Sequence, residues 1–137
     1  VRERDLRTTM AETLWHSTLE PDTAAIATIK PHILACFDDR TRGLDPMLAC
    51  DEALTNIAMH SGATTVDVTI ERVGRKVRVT LSDDGVPFDP LAFEPVERDF
   101  EDWDEGGLGI GFVRQICDDV AYVHAEGRNV LTLSLTD

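Results

Sequence analysis

Residues 105–117 read Glu-Gly-Gly-Leu-Gly-Ile-Gly-Phe-Val-Arg-Gln-Ile-Cys and place four glycines within six positions. Glycine adopts positive φ readily and lets a ligand approach the backbone closely. Behind the glycines, apolar residues recur at helical spacing, which predicts a glycine turn that opens onto an amphipathic helix. The free N–H groups and positive dipole end at a helix N-terminus bind anions, and phosphate is the obvious one. A tight turn with close packing behind it is the alternative, because the stretch matches neither a P-loop nor a dinucleotide fingerprint.

Composition limits the class of protein. The chain has 137 residues, 42% of them hydrophobic, which predicts one domain with a sizeable core. Its net charge of −13 argues against nucleic acid and anionic membranes as primary partners. Cys36, Cys50 and Cys117 are far apart and flanked by apolar residues, so we expect reduced core thiols. With no apolar run approaching ~18 residues and no signal peptide, a cytoplasmic location is expected.

The first part of the chain predicts an arm, a strand and a helix. Residues 1–11 mix charges without periodicity and are expected to form a poorly ordered arm before a domain over 12–137. Strand-forming residues fill 13–19. Asp22 can then cap a helix, but Pro31 lies inside its apolar pattern and should kink or split it. The face expected to be apolar consists of Ile26, Ile29, Ile33 and Phe37.

A second helix is predicted from Asp45-Pro46, with a capping carboxylate and a proline at the first helical position, to His60. Two sets of its residues share a face. The set expected to face the core is Leu48, Leu54, Ile57 and Ala58. The set expected on a neighbouring stripe, each four residues apart, is Glu52, Asn56 and His60.

Two β-hairpins follow from alternating patterns. Residues 65–73 and 76–82 alternate apolar and polar side chains across a Gly-Arg turn, and Asp83-Asp84-Gly85 ends the second strand. Residues 120–125 and 129–135 predict another hairpin across Glu126-Gly127-Arg128. Between the hairpins, the acidic and proline-containing segment 86–105 is long for a loop, so it is either a functional lid or disordered.

Two further clusters could carry chemistry. Glu52 and Asn56, one helical turn apart, could reach one cleft, where a carboxylate can deprotonate a hydroxyl and an Asn oxygen suits Mg²⁺. Asp83 at a strand end could accept a hydrogen bond from an exocyclic amine, and Gly85 would let a planar base lie close. The alternatives are a solvated helix face for the pair and an ordinary Asp-Asp-Gly turn. His60 is more often a helix-end residue than a ligand contact.

Taken together, the three clusters resemble a known arrangement. Glu52-x-x-x-Asn56, Asp83-x-Gly85 and Gly107-x-Gly109-x-Gly111 resemble the N, G1 and G2 boxes of the ATPase/kinase superfamily of gyrase, the heat-shock chaperone ATPases, histidine kinases and MutL. The sequence around each box, such as Asp-Glu-Ala-Leu-Thr-Asn-Ile-Ala-Met-His, resembles that of the anti-sigma-factor serine/threonine kinase family. The resemblance covers residue 12 to the C-terminus. It implies a two-layer α/β sandwich, with helices on one face of a mixed, mainly antiparallel sheet.

The resemblance also implies ATP and Mg²⁺ as cofactors and a role for each box. Asn56 would bind Mg²⁺, Glu52 would be the catalytic base and Asp83 would take the adenine amino group beside Gly85. Residues 86–105 would form the ATP lid, and Thr132 would supply an adenine-side hydroxyl. Arg114, after the glycine box, could meet a phosphate or a partner. The residues implied to cradle phosphates are Gly107, Leu108, Gly109 and Gly111.

The implied function is partner switching: a regulator that sequesters a sigma factor and phosphorylates a serine or threonine of an anti-anti-sigma antagonist, with a homodimer possible. Two alternatives are a non-catalytic ATP-binding module, which could be cut from a larger sensor or phosphatase protein, and the catalytic domain of a histidine kinase. Two features depart from the family pattern. Pro31 interrupts a helix that in this family helps form the partner-binding surface, and the implied lid is long and acidic.

Overall fold

The computed structural model describes residues 11–37, 44–89, 113 and 115–136. Residues 1–10, the glycine turn and the predicted lid beyond residue 89 lie outside the described residues. Ala11, which the sequence analysis assigned to the arm, begins the first strand. The elements, in chain order, are β1 (Ala11–Leu19), α1 (Thr23–Leu34), α2 (Leu44–His60), β2 (Val66–Val73), β3 (Lys76–Asp83), β4 (Asp119–Ala125) and β5 (Arg128–Thr136).

The five strands form one sheet in the order β1-β2-β3-β5-β4, and each of its four pairs is antiparallel. Both helices pack on the face of the sheet that carries the apolar side chains. The predicted two-layer α/β sandwich is therefore confirmed, and the sheet expected to be mixed is antiparallel at every described pair. We call the helix-covered face the inner face and the opposite face the outer face.

Both hairpins turn over two residues. Val73 pairs with Lys76 across Gly74, which has φ of 63°. In the second hairpin Glu126 and Gly127 have φ of 55° and 78°, so Arg128 begins β5 and does not belong to the turn as predicted. Two successive positive φ values match the right-handed twist of the strands, and this favours a two-residue connection.

Helix α1 confirms its predicted cap, and Pro31 does not split it. The Asp22 carboxylate accepts hydrogen bonds from the Ala24 and Ala25 N–H groups at 2.9 and 3.1 Å. The helix continues through Pro31 to Leu34 as one element, and the Pro31 carbonyl accepts from the Ala35 N–H at 3.1 Å. A proline removes one backbone donor, and burial of the neighbouring Ile29 and Ile33 on the inner face offsets that loss.

Helix α2 presents a different face to the core from the one predicted. It begins at Leu44, so Asp45 lies in its first turn instead of capping it. Leu48 is 41% exposed and Ala58 is also exposed, although Leu54 and Ile57 are buried as expected. Small side chains make up much of the true core stripe and let the helix approach the sheet. That stripe is Ala49, Cys50, Ala53, Leu54 and Ile57.

The core lies between the helices and the inner face. Alternate residues of the three central strands are buried there: Val66, Val68, Ile70, Val77, Val79, Leu81, Leu131, Leu133 and Leu135. Cys36, Cys50 and Cys117 are buried reduced cysteines, which confirms their predicted place in the core. Burial raises the pKa of Cys117 to about 12 and also raises that of Cys50. Within the described residues, neither α1 nor α2 has the length and apolar character that spanning a bilayer requires.

Candidate functional site

A recess opens where α2 meets the ends of β3 and β5. It unites two residues that the sequence analysis selected independently, Asn56 of α2 and Asp83 at the end of β3. Apolar and aromatic groups surround these polar side chains, which is typical of small-molecule sites. The residues that line the recess are Ala53, Asn56, Ile57, Asp83, Phe88, Tyr122, Asn129 and Leu131.

The Asp83 carboxylate is only 2% exposed. Its Oδ1 accepts hydrogen bonds from the Gly85 N–H at 2.9 Å and from the Asn129 Nδ2 at 3.0 Å. Within the described part of the chain, both hydrogen bonds to this carboxylate fall on Oδ1. Because an ionised carboxylate can accept at both oxygens, Oδ2 is left for a donor that enters the recess.

Asn129 is a site residue that the sequence analysis missed. It lies directly opposite Asp83 in the β3–β5 ladder and is 3% exposed. Its Nδ2 also donates to the Val86 carbonyl at 2.7 Å, and its Oδ1 accepts from the Phe88 N–H at 3.1 Å and from the Tyr122 hydroxyl. The sequence did contain a signal. Apolar residues occupy every second position at 131, 133 and 135, and Asn129 continues this series, so it belongs to the same face of the strand.

Asn56 is 5% exposed, and its side-chain amide makes no hydrogen bond to another described residue. Among the described residues no fully buried side-chain nitrogen or oxygen lacks a partner, so this amide reaches the open part of the recess, where its donors and acceptor are available to a ligand. An amide oxygen is a hard ligand of the kind that Mg²⁺ accepts. The chemistry of this position therefore fits the predicted metal role.

Glu52 lies one helical turn before Asn56 and is half-buried. Partial burial raises the pKa of its carboxyl, and the nearby Asp51 charge raises it further. A raised pKa makes the carboxylate a stronger proton acceptor. His60, the third member of the predicted stripe, is exposed and stacks on Phe88, with ring centroids 5.0 Å apart.

Gly85 has a packing role as well as its predicted role beside a base. A Cβ built at this position would lie 2.4 Å from the Ser61 carbonyl oxygen at the end of α2. The Val86 N–H donates to that same oxygen at 2.9 Å, so the chain after β3 lies directly on the helix end. No side chain fits between them, which explains the glycine without a ligand.

The neighbouring Asp84 fixes the same loop to the turn before β2. Its carboxylate accepts from the Thr64 hydroxyl at 2.6 Å and from the Thr64 and Thr65 N–H groups at 2.9 and 3.2 Å. These hydrogen bonds, led by that of the Thr64 hydroxyl, lower the pKa of Asp84 to about 2. The loop that carries Asp83 and Gly85 is thus attached both to the end of α2 and to the turn before β2.

Thr132 does not reach the recess. It pairs with Thr80 in the β3–β5 ladder and lies on the outer face, whereas Asp83 and Asn129 lie on the inner face. The side chains of adjacent strand residues point to opposite faces, so the adenine-side role predicted for Thr132 is withdrawn. Gly107, Leu108, Gly109, Gly111 and Arg114 lie outside the described residues.

An antiparallel sheet with helices on one face, and a polar recess between helix and sheet, defines a two-layer α/β protein with a ligand site. A family model for the histidine kinase-like ATPase domain matches residues 4–135. The chain belongs to the histidine kinase-like ATPase domain family. A crystal structure of the RsbU and RsbW domains of a Mycobacterium tuberculosis protein has the same fold, with a TM-score of 0.62 and 20% identity over 93% of this chain and 32% of that one.

Two curated relatives are kinases by name. The chain is 30% identical to the serine/threonine-protein kinase BtrW of Bordetella bronchiseptica over 93 residues, which are 64% of this chain and 66% of BtrW. It is 28% identical to the serine-protein kinase RsbW of Bacillus thuringiensis over 96 residues, 64% of this chain and 60% of that protein. The match thus spans less than two thirds of each relative's length.

Proposed function

We propose that the recess binds Mg²⁺-ATP and that the chain transfers a phosphoryl group to a serine or threonine of an antagonist protein. The observation that carries the proposal is the recess itself, which unites Asn56 and Asp83 with acceptor atoms available to a ligand. The names of BtrW and RsbW, both protein kinases, support the same reaction class.

The proposal gives a binding task to Asp83, to Asn56 and to the glycine turn. Asp83 accepts a hydrogen bond at Oδ2 from the adenine amino group, with Gly85 beside the base. Asn56 holds Mg²⁺ through its amide oxygen, and the metal offsets negative charge on the phosphate oxygens. The residues proposed to cradle the phosphates are Gly107, Leu108, Gly109 and Gly111, which the sequence predicts to open onto a helix whose N–H groups favour anions.

Glu52 is the proposed general base. Its raised pKa suits it to accept the proton of the attacking hydroxyl, and its place one turn before Asn56 puts it on the stripe that leads to the recess. Glu52 is not among the residues that line the recess, so it contributes little to holding the nucleotide. This separates a chemical role at Glu52 from the binding roles of Asn56 and Asp83.

A single-turnover assay of transfer from labelled ATP to an antagonist tests the proposal. Glu52→Gln keeps the shape and removes the charge, so we expect transfer to fall by ~10²–10⁴ while ATP affinity stays within a few-fold. Thr55→Ala, on the exposed side of the same helix, is the matched control and should transfer at the wild-type rate. Transfer by Glu52→Gln at the wild-type rate would exclude Glu52 as the base.

The pH dependence of transfer provides a second test. Transfer needs the ionised form of Glu52. As the pH is lowered, the transfer rate should therefore begin to fall at a higher pH than the titration of an ordinary glutamate would give. Because the Asp51 charge contributes to the raised pKa, Asp51→Asn should move this acid limb to lower pH. A limb that stays in place in Glu52→Gln belongs to another group.

The proposed partners follow the partner-switching function: a sigma factor or similar regulator that the chain sequesters, and an anti-anti-sigma protein as the phosphorylation substrate. Affinity capture with and without ATP identifies both. If the wild-type chain binds an antagonist and ATP but transfers nothing, the chain is a non-catalytic module in which the nucleotide shapes the partner surface.

A further inference from the structure

Asn129 makes a hydrogen bond with every donor and acceptor of its amide. Nδ2 donates to Asp83 and to the Val86 carbonyl, while Oδ1 accepts from Phe88 and Tyr122. We call these five residues the Asn129 clamp. Neither the sequence patterns nor the proposed mechanism gives Asn129 a task, although it is buried and borders the recess.

The clamp fixes the orientation of the amide. The Val86 carbonyl can only accept and the Phe88 N–H can only donate, so turning the amide over would lose both of these hydrogen bonds. Nδ2 must therefore face Asp83. The Gly85 N–H also donates to Oδ1 of Asp83, so two donors occupy that one oxygen.

We propose that Asn129 is a specificity-determining residue that favours adenine over guanine by filling Oδ1 of Asp83. The inference rests on the proposed function, because it concerns the base of the nucleotide bound in the recess. The preference for adenine over guanine then depends on Asn129, the hydrogen-bond partner of Asp83, and not on Asp83 alone.

The two bases differ in the hydrogen-bonding edge that they present to Asp83. Adenine presents one amino donor beside an unprotonated ring nitrogen, and a single carboxylate oxygen satisfies that donor. Guanine presents two adjacent donors, N1–H and the 2-amino group, which a carboxylate binds best with both oxygens. With Oδ1 already holding two donors, Asp83 offers one oxygen and suits adenine. A donor left unpaired in a buried site lowers affinity.

Two substitutions whose side chains have nearly the same shape isolate the effect of the hydrogen-bond donor at position 129. Asn129→Val and Asn129→Thr both suit a strand and both remove the contacts with Val86 and Phe88, so they share any structural cost. Only threonine retains a donor, and side chains directly opposite in an antiparallel ladder lie within its reach. A difference between the two variants therefore measures the hydrogen bond to Asp83.

The experiment is calorimetric titration of each protein with Mg²⁺-ATP and with Mg²⁺-GTP. We expect wild type and Asn129→Thr to prefer ATP, and the ratio of ATP to GTP affinity to fall at least ~10-fold in Asn129→Val. Ser134→Ala, on the outer face of the same strand, controls for changes in β5.

Equal ratios in the valine and threonine variants would overturn the inference while leaving ATP binding intact. A wild-type chain that binds no adenine nucleotide contradicts the proposed function itself. The two failures are therefore distinguishable in one set of titrations.

Discussion

The two faces of the sheet treat similar side chains differently. Asn129 and Thr132 lie three residues apart on β5, yet Asn129 is a buried inner-face residue with four hydrogen bonds, whereas Thr132 lies half-exposed on the outer face. Judged by residue type alone, the Thr132 hydroxyl and the Asn129 amide are equally good candidates for contacting a ligand. The strand pleat places the amide on the recess side and the hydroxyl on the other.

Two aspartates show the same contrast. On the outer face, Asp67 forms an ion pair with Arg128 at 3.1 Å and accepts from the Thr18 hydroxyl at 2.5 Å, so both its oxygens are used. Such a partly exposed ion pair stabilises the fold by at most about 1 kcal/mol. On the inner face, Asp83 uses one oxygen for structure, and the other remains available in the recess. The inner carboxylate is therefore the one suited to a ligand.

The largest difference between the faces should appear in stability. Ile70 and Thr69 are neighbours on β2, but Ile70 is completely buried on the inner face. Ile70→Ala should lower the free energy of unfolding by about 2–5 kcal/mol through lost burial and a cavity. Thr69→Ala, on the outer face, should cost under about 1 kcal/mol. Urea denaturation measures both, and equal losses would contradict the assignment of the two faces.

A smaller effect is expected at Gly85, where the inner face meets the end of α2. Gly85→Ala places a Cβ against the Ser61 carbonyl, and overpacking of this kind costs about 1–3 kcal/mol. Because the closest atom belongs to the backbone, adding Ser61→Gly should not restore stability. Thermal unfolding of the single and double variants checks this. An unchanged Tm in Gly85→Ala would show that the loop does not lie on the helix end.

The smallest effect is expected at Asp84, which is fully exposed. Its pKa is lowered, so its contribution to stability is present above the ordinary value of 3.8 and is lost as the pH falls through about 2. Asp84→Asn should therefore be less stable than wild type at neutral pH, and the difference should shrink across that window. Denaturation at a series of pH values measures it. A difference independent of pH would mean that the charge contributes nothing.

Much of the fold follows from local patterns. Residues 66–83 alternate strictly around a glycine turn, so the pairing of β2 with β3 and the inner position of Val66, Val68 and Ile70 could be predicted. The spacing of Glu52 and Asn56 predicted that both reach one cleft, and the family resemblance added Asp83 to it; Asn56 and Asp83 do line one recess. Glu52 does not line that recess.

The remainder depends on contacts between distant segments. The predicted core-facing side of α2 was partly wrong. Ala49 and Ala53, which carry weak hydrophobic signals, form the close contact with the sheet, whereas Leu48 faces solvent. The helix continues past Pro31 because tertiary burial outweighs one lost donor. The alternation of β5 could indicate the buried face of Asn129, but its position opposite Asp83 depends on the β3–β5 register, which joins segments far apart in the chain.

The central claim is that Asn56 and Asp83 form one Mg²⁺-ATP site, and titration of Asn56→Ala with ATP tests it most directly. In the presence of Mg²⁺, ATP affinity should fall at least ~10-fold, or ~1.4 kcal/mol, relative to both wild type and the control Thr55→Ala. Removing Mg²⁺ should weaken binding to wild type but hardly change that of Asn56→Ala. Equal affinity of wild type and Asn56→Ala for ATP, with and without Mg²⁺, would contradict the claim.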